Sequence, residues 1–75
     1  MKEFMEMLYC DGENCDIYGW IGGIDVDGFI RSVRATAGTD LKVTIDLYGD
    51  DDDIMVISAT KLYEFVESGE VEIFW

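Results

Sequence analysis

Four consecutive aspartates at residues 50–53 are the sequence feature with the most specific chemistry. In an extended backbone their carboxylates would follow one another every ~3.3 Å, close to the ~3.4 Å between phosphates along the axis of one DNA strand. A protein groove built for a phosphate backbone would therefore accept this loop as a ligand. A solvated, self-repelling loop between two strands accounts for the same four residues equally well.

Nearby carboxylates and a tyrosine are predicted to extend this run into a larger partner-binding surface. The residues assigned to that surface are Asp46, Tyr48, Asp50, Asp51, Asp52, Asp53, Glu64 and Glu67. Tyr48 and Tyr63 are candidate interface anchors, because tyrosine supplies contact area at a low entropic cost. Tyrosines in such places also cover the rim of a small core, so both interpretations stay open.

The residue types argue against catalysis. The chain has no histidine, so neither a Ser-His-Asp triad nor an H-E-x-x-H zinc motif can form, and no glycine-rich phosphate loop is present. Paired carboxylates alone need a deep, water-excluding cleft, for which 75 residues leave little room. The sequence therefore predicts a protein that is not an enzyme and has no catalytic residues and no cofactor.

Metal sites are weakly indicated. Clustered carboxylates suit Ca²⁺, but neither residues 11–16 nor residues 50–53 have the D-x-D-x-D-G spacing with a distal Glu, so no metal ligands are predicted. Cys10 and Cys15 cannot complete a tetrahedral zinc site without histidine. Two free thiols are favoured over a hairpin disulfide, which would need an oxidising compartment.

The net charge of −12 arises from 17 acidic and 5 basic residues. A fold of 8.5 kDa exposes on the order of 4,600 Å², which leaves about one net negative charge per 400 Å². This density destabilises the compact state through self-repulsion, and a net charge of about 2 to 8 is enough for solubility. The excess charge therefore predicts a cationic partner.

Turn-forming residues divide the chain into short segments, as expected of antiparallel strands. The sequence predicts one α+β domain, residues 1–75, in which a small meander-like antiparallel sheet of about five to six strands carries one C-terminal helix. The predicted strands are residues 2–10, 17–24, 29–37, 41–48, 54–57 and 70–75, and the predicted helix is residues 59–68. Helix is the alternative for residues 2–10, which contain helix formers, and for residues 29–37.

Several finer expectations accompany these elements. Residues 17–24 are predicted to bend at their glycines, and residues 54–57, a continuous apolar run, to form a central strand buried on both faces. Ser58 is the expected N-cap of the helix and Gly69 its C-terminal glycine. Phe29 is expected to face the core and Trp75 to be docked. Arg31 and Arg34 are expected to pair internally with Asp25, Asp27 or Asp40.

In size, acidity and the run at residues 50–53, the chain resembles the small inhibitors made by bacteriophages, including anti-CRISPR proteins and other DNA mimics. The resemblance covers no alignable motif, so no site residue is taken from it. It implies a stoichiometric inhibitor in the host cytoplasm that blocks the nucleic-acid-binding surface of a basic host protein, such as a CRISPR effector, and itself binds neither nucleic acid nor membrane.

Two alternatives come from other functional classes. The chain could be an acidic structural or regulatory module that binds a protein partner through Trp20, Phe74 or Trp75. The more remote alternative is a Ca²⁺-binding domain.

Overall fold

The computed structural model describes residues 1–35, 38, 40–49 and 52–75, which form one five-stranded antiparallel sheet and two helices. The elements in chain order are α1 (Lys2–Asp11), β1 (Asp16–Ile21), β2 (Ile24–Ala35), β3 (Leu41–Leu47), β4 (Ile54–Ser58), α2 (Ala59–Glu67) and β5 (Val71–Phe74). The spatial strand order is β4-β3-β2-β1-β5. The first four strands make a meander, and α2 carries the chain across the sheet so that β5 pairs with β1. The predicted α+β class is confirmed.

Both helices pack on the same face of the sheet. The alternating inward residues of β1, β2 and β3 form a core with α1 and α2, and the buried members of this core are Phe4, Leu8, Cys15, Ile17, Ile21, Val26, Ile30, Val43, Ile45, Ala59, Leu62 and Val71. An antiparallel sheet needs only one covered face, because the side chains of the other face can stay in water. The two helices are short, and no helix in the described ranges is long and apolar enough to cross a membrane.

The N-terminal segment is a helix, so the predicted strand at residues 2–10 is wrong. Phe4 and Leu8 are four residues apart and both buried, and this spacing aligns them on one helix face. Gly12 ends the helix, and its N–H donates to the carbonyl of Leu8 at 2.9 Å. The Met, Glu and Leu residues that favour helix outweighed the turn residues that follow them.

Two glycines, Gly22 and Gly23, form a tight hairpin turn between β1 and β2, where the sequence analysis expected one bent strand over residues 17–24. Their φ angles are +57° and +84°, as in the type I′ turns that match the twist of antiparallel strands. Ile21 therefore pairs directly with Ile24. Asp27 and Gly28, which lie between the predicted strands of residues 17–24 and 29–37, are inside β2.

The strand β4 lies at an edge of the sheet, which contradicts the prediction of a central strand buried on both faces. Met55 and Ile57 are half-buried beside the core, whereas Val56 is 61% exposed. A continuous apolar run does not distinguish a central strand from an edge strand whose outer face is wet. The last strand has the expected alternation, but Trp75 is exposed rather than docked.

The helix α2 confirms the predicted C-terminal helix and its caps. The Ser58 hydroxyl accepts a hydrogen bond from the Lys61 N–H at 3.2 Å, and Gly69 follows the helix with φ +81°. The helix has no acidic residue in its own first turn. Asp40, just before β3, supplies that charge, because its carboxylate accepts a hydrogen bond from the Thr60 N–H at 3.1 Å.

Replacing Leu8 tests whether α1 is packed as described. Leu8 is fully buried, so Leu8→Ala is expected to lower the free energy of unfolding by about 2–5 kcal/mol. Tyr9→Ala, one residue further along and exposed, is the control and should change it by no more than about 0.5 kcal/mol. Urea denaturation followed by circular dichroism measures both. Equal effects would contradict the orientation of the helix.

Asp40 gives a prediction about acid stability. Burial acts to raise the pKa of its carboxyl group, but hydrogen bonds from Thr60, Leu41 and Ser58 outweigh burial and hold the pKa below its usual value of 3.8. A lowered folded-state pKa contributes stability that is complete above the unfolded pKa and is lost as the pH falls through the folded one. The free energy of unfolding of the parent chain should therefore decrease as the pH falls below about 4. Asp40→Asn, which has no carboxyl group to protonate, should show a smaller decrease over the same range. Urea midpoints measured as a function of pH test this, with Glu13→Gln, which removes an exposed carboxylate, as the charge-matched control.

Candidate partner-binding face

The sheet face opposite the two helices is covered by no described element, and we call it the open face. The strand residues that alternate with the core residues point to it, because successive side chains of a strand lie on opposite faces. Its members are Asp16, Tyr18, Trp20, Asp25, Asp27, Phe29, Lys42, Thr44, Asp46, Ile54, Val56, Glu72 and Phe74. The strand β2 also contributes Ser32 and Arg34 beyond its bulge.

Aromatic and acidic residues alternate across the open face. Asp16 pairs with Phe29 on one neighbouring strand and with Phe74 on the other. Tyr18 lies likewise between Asp27 and Glu72. Cross-strand neighbours on one face have their Cβ atoms about 4.5–5.5 Å apart. Each of these carboxylates is therefore adjacent to an aromatic ring.

A hollow of about 710 Å³ lies in the middle of this pattern. Its side-chain lining comes mainly from two aspartates and four aromatic residues, namely Asp16, Asp27, Tyr18, Phe29, Tyr48 and Phe74. Gly28 also lines it, and a Cβ at this position would collide with the backbone carbonyl of Asp46 on β3. The close approach of β2 and β3 at this point requires glycine.

Tyr48 forms a fixed side of the hollow. Its backbone is left-handed, with φ +56°, and its N–H donates to the carbonyl of Asp27 at 2.6 Å. Its hydroxyl donates to the carbonyl of Asp25 at 2.9 Å while the side chain stays more than half exposed. Two hydrogen bonds to β2 thus place an exposed ring beside the hollow.

Asp46 is the one carboxylate of the open face that is hidden. It is 2% exposed and lies between Phe29 and Ile54. An Arg31 guanidinium nitrogen, NH1, lies 3.5 Å from its Oδ1. Arg31 sits where the register of β2 and β3 shifts, and a bulge of this kind redirects a side chain. The expected partners of Arg31 were Asp25, Asp27 or Asp40, so that prediction is wrong.

The described carboxylates around the hollow lack such partners. Elsewhere in the described structure, Arg31 pairs with Asp46 and Lys61 pairs with Glu64. Neither pair involves Asp16, Asp25, Asp27 or Glu72, which are all exposed. The open face therefore presents negative charge that the chain itself does not pair.

The predicted partner-binding residues are dispersed rather than gathered. Tyr48 lies at the hollow, but Asp46 is buried, and Asp52 and Asp53 lie in the exposed connection before β4. Glu64 and Glu67 lie on α2, on the opposite side of the sheet. Asp50 and Asp51 are outside the described residues. These residues do not form one continuous surface in the described structure.

The helix carboxylates are also engaged within the chain. Glu64 pairs with Lys61 at 3.4 Å. Glu67 accepts a hydrogen bond from the Tyr63 hydroxyl, and this bond together with the negative charge of Glu67 raises the pKa of Tyr63. The Tyr63 ring packs against Phe4, with ring centroids 5.1 Å apart. Tyr63 therefore packs between the helices rather than forming an exposed anchor.

Cysteine and acidic clusters offer no further chemistry in the described ranges. Cys10 and Cys15 are free. Cys15 is buried, and its thiol donates to the carbonyl of Asp11 at 3.1 Å. Burial raises the pKa of this thiol, and so do the charges of Asp11 and Asp16, which disfavours the reactive thiolate. No group of three or more cysteine and carboxylate residues among those described is placed to hold a metal ion.

The chain matches no protein-family model, no curated protein and no solved structure.

Asp16, Tyr18 and Asp27 were missed as candidate site residues, and Phe74 was named from the sequence only for the alternative interaction module. A signal was present, because residues 16–21 alternate between Ile17 and Ile21 on one face and Asp16, Tyr18 and Trp20 on the other. Such alternation predicts one wet face of a strand. The expected bend at the glycines of residues 17–24 obscured it.

Removing Arg31 tests how the buried carboxylate is stabilised. Arg31→Ala leaves Asp46 without its cationic partner, and an unpartnered buried charged group costs about 1–3 kcal/mol. A value near the lower end is expected, because the Arg31 side chain is 48% exposed and solvent screens the pair. Arg34→Ala, which removes the same charge from an exposed position of β2, should cost less than about 0.5 kcal/mol. Equal urea midpoints for the two variants would refute a stabilising role for the pair.

Proposed function

We propose that this chain is a non-enzymatic, acidic binding protein that blocks the nucleic-acid-binding surface of a basic host protein. The single observation that carries the proposal is the unpaired negative charge of the open face, in a chain of net charge −12. The resemblance to small phage-encoded inhibitors suggests a CRISPR effector or a similar nucleic-acid enzyme as the target. In this proposal the carboxylates occupy positions that phosphates otherwise take.

Electrostatics supports a partner of this kind. A surface of one sign attracts the opposite sign over about a Debye length, close to 8 Å at physiological ionic strength. Such steering raises association rates and disfavours partners of like charge. A groove that binds nucleic acid is lined with lysine and arginine, and the open face offers it exposed carboxylates. A basic groove is therefore the natural complement of this molecule.

We place this encounter in the cytoplasm. The two cysteines are free thiols, and thiols persist in compartments that keep cysteine reduced. A nucleic-acid-binding target is reached in the same compartment.

A second function is favoured by the exposed aromatic residues. Trp20, Phe74 and Trp75 are each more than half exposed, and tryptophan and other aromatic residues are enriched in the energetic centres of protein interfaces. A regulatory protein-protein interaction module that binds through these side chains would need no cationic partner. Its binding would depend little on salt, which separates it from the first proposal.

A capture experiment tests the proposed function. The immobilised chain is expected to retain basic nucleic-acid-binding proteins from a bacterial lysate, and mass spectrometry identifies them. Because the contacts are ionic, retention should fall steeply as the salt concentration rises, and added DNA or RNA should displace the retained proteins. A scrambled chain of the same composition, which keeps the charge and loses the fold, is the control.

Three outcomes would contradict the proposal. The scrambled chain could retain the same proteins, the retained proteins could resist displacement by nucleic acid, or capture could be insensitive to salt. The last result would favour the aromatic interaction module.

A further inference from the structure

We propose that the hollow of the open face is a docking site for arginine side chains of a positively charged protein segment. This inference rests on the proposed function and gives it a location and a residue preference. It places the binding site on the face opposite Glu64 and Glu67, and it does not depend on the run at residues 50–53.

The size of the hollow suits inserted side chains. Its volume of about 710 Å³ lies in the range of roughly 300–1,000 Å³ typical of sites that enclose small ligands. The hollow is open and shallow, so it can take side chains from a protein surface. At Gly28, which also lines the hollow, the absence of a side chain lets β2 and β3 approach each other closely.

Four aromatic side chains leave a sizeable apolar area exposed around the hollow. Tyr18, Trp20, Tyr48 and Phe74 are each a little over half exposed. With about 150–250 Å² for each aromatic side chain, they leave on the order of 400 Å² in contact with water. The largest apolar patch on a typical monomer is about 300–600 Å² and is often functional. The exposed aromatic area of the open face is thus comparable with such a patch.

The chemistry of the hollow favours arginine over lysine. A guanidinium group is planar, so it stacks on an aromatic ring and at the same time donates paired hydrogen bonds to a carboxylate. Asp16 lies between Phe29 and Phe74, and Asp27 lies beside Tyr18. Both interactions are therefore available to one guanidinium at each aspartate. The ammonium group of lysine is a compact, strongly hydrated charge that gains less from such a surface.

The site is held in place before the partner arrives. The two hydrogen bonds of Tyr48 to β2 fix one side of the hollow, and the central strands β1 and β2 provide Asp16 and Asp27. Little side-chain or loop entropy is then lost on binding, which favours affinity.

Charge decides between the possible occupants. A second copy of the chain, docked face to face about a two-fold axis, would bring the same carboxylates of both copies together, and each copy has a net charge of −12. A nucleic acid would be repelled for the same reason. A cationic protein segment would instead be attracted by the carboxylates of the open face, and it could also contact the aromatic rings.

Two defined peptides test the proposal, one of nine arginines and one of nine lysines. Isothermal titration calorimetry at physiological ionic strength is expected to give about tenfold tighter binding for the arginine peptide. Amide shifts in an NMR titration should be largest at Asp16, Tyr18 and Phe74. Equal affinities for the two peptides would overturn the residue preference.

Three charge-matched double variants locate the site. Asp16→Asn with Asp27→Asn should weaken binding of the arginine peptide by about tenfold, because both carboxylates contact guanidinium groups. Glu64→Gln with Glu67→Gln removes the same charge from α2 and should weaken it by no more than about twofold, the effect of long-range charge alone. Asp52→Asn with Asp53→Asn should behave like the helix variant. Equal weakening by all three, or the strongest weakening by the loop variant, would refute the hollow as the site.

Replacing aromatic residues separates stacking from charge. Phe74→Leu keeps the apolar volume and removes the π face, so it should weaken arginine binding more than lysine binding and reduce the preference for arginine to about twofold. Tyr18→Phe keeps the ring and should preserve the preference. Circular dichroism and thermal melting of each variant establish that it is folded.

The failures of this site and of the proposed function are distinguishable. If lysate proteins are captured and displaced by nucleic acid while the open-face variant captures them as well as the parent does, the function stands and this site is wrong. If the arginine peptide binds the hollow but no nucleic-acid-binding protein is captured, the site stands and the proposed function is wrong. A dimer in sedimentation equilibrium that dissociates in Phe74→Ala would assign the face to a second copy and overturn the proposal.

Discussion

The described structure has only two short helices to cover a five-stranded sheet, and this limit determines the rest of the structure. A domain of this size buries only about 60% of the surface of its unfolded chain. Both helices are therefore used on the same side, where α1 supplies Phe4 and Leu8 and α2 supplies Ala59 and Leu62. The opposite face is left in water. Its side chains do not pack against a helix, so they are available to bind a partner.

Arg31 and Lys61 both pair with carboxylates of the chain. Arg31 reaches across a bulge to the buried Asp46. On α2, Lys61 pairs with Glu64, and the N-terminus is capped by Ser58 and by Asp40 from another element. The carboxylates around the hollow receive none of this compensation. The repulsion among them disfavours the compact state, and a cationic partner would relieve it.

Sequence patterns predicted the class of the fold and its second half, where periodicity and caps agree. The alternation of residues 41–48 had one interpretation, a strand. Ser58 and Gly69 likewise had one interpretation each, as the N-cap and the C-terminal glycine of a helix. The N-terminal helix was missed because nine residues before a turn can form either a strand or a helix. The spacing of Phe4 and Leu8 identifies the helix only once the sheet on which they pack is known. The exposure of β4 depends on strand order, which no local pattern contains. The candidate site was missed for a similar reason. Asp16, Phe29 and Phe74 are far apart in the chain and become neighbours only through strand pairing.

The position of β5 makes the hollow depend on a long-range strand pairing. The meander from β1 to β4 can form from consecutive segments as they leave the ribosome, whereas β5 must travel with α2 across the sheet to reach β1. Such long-range pairing is slow relative to hairpin formation. Phe74 and Glu72 join the open face only at that step. A chain in which this pairing fails would lack Phe74 as one wall of the hollow, so incompletely folded chains would not compete with the folded chain for the same partner.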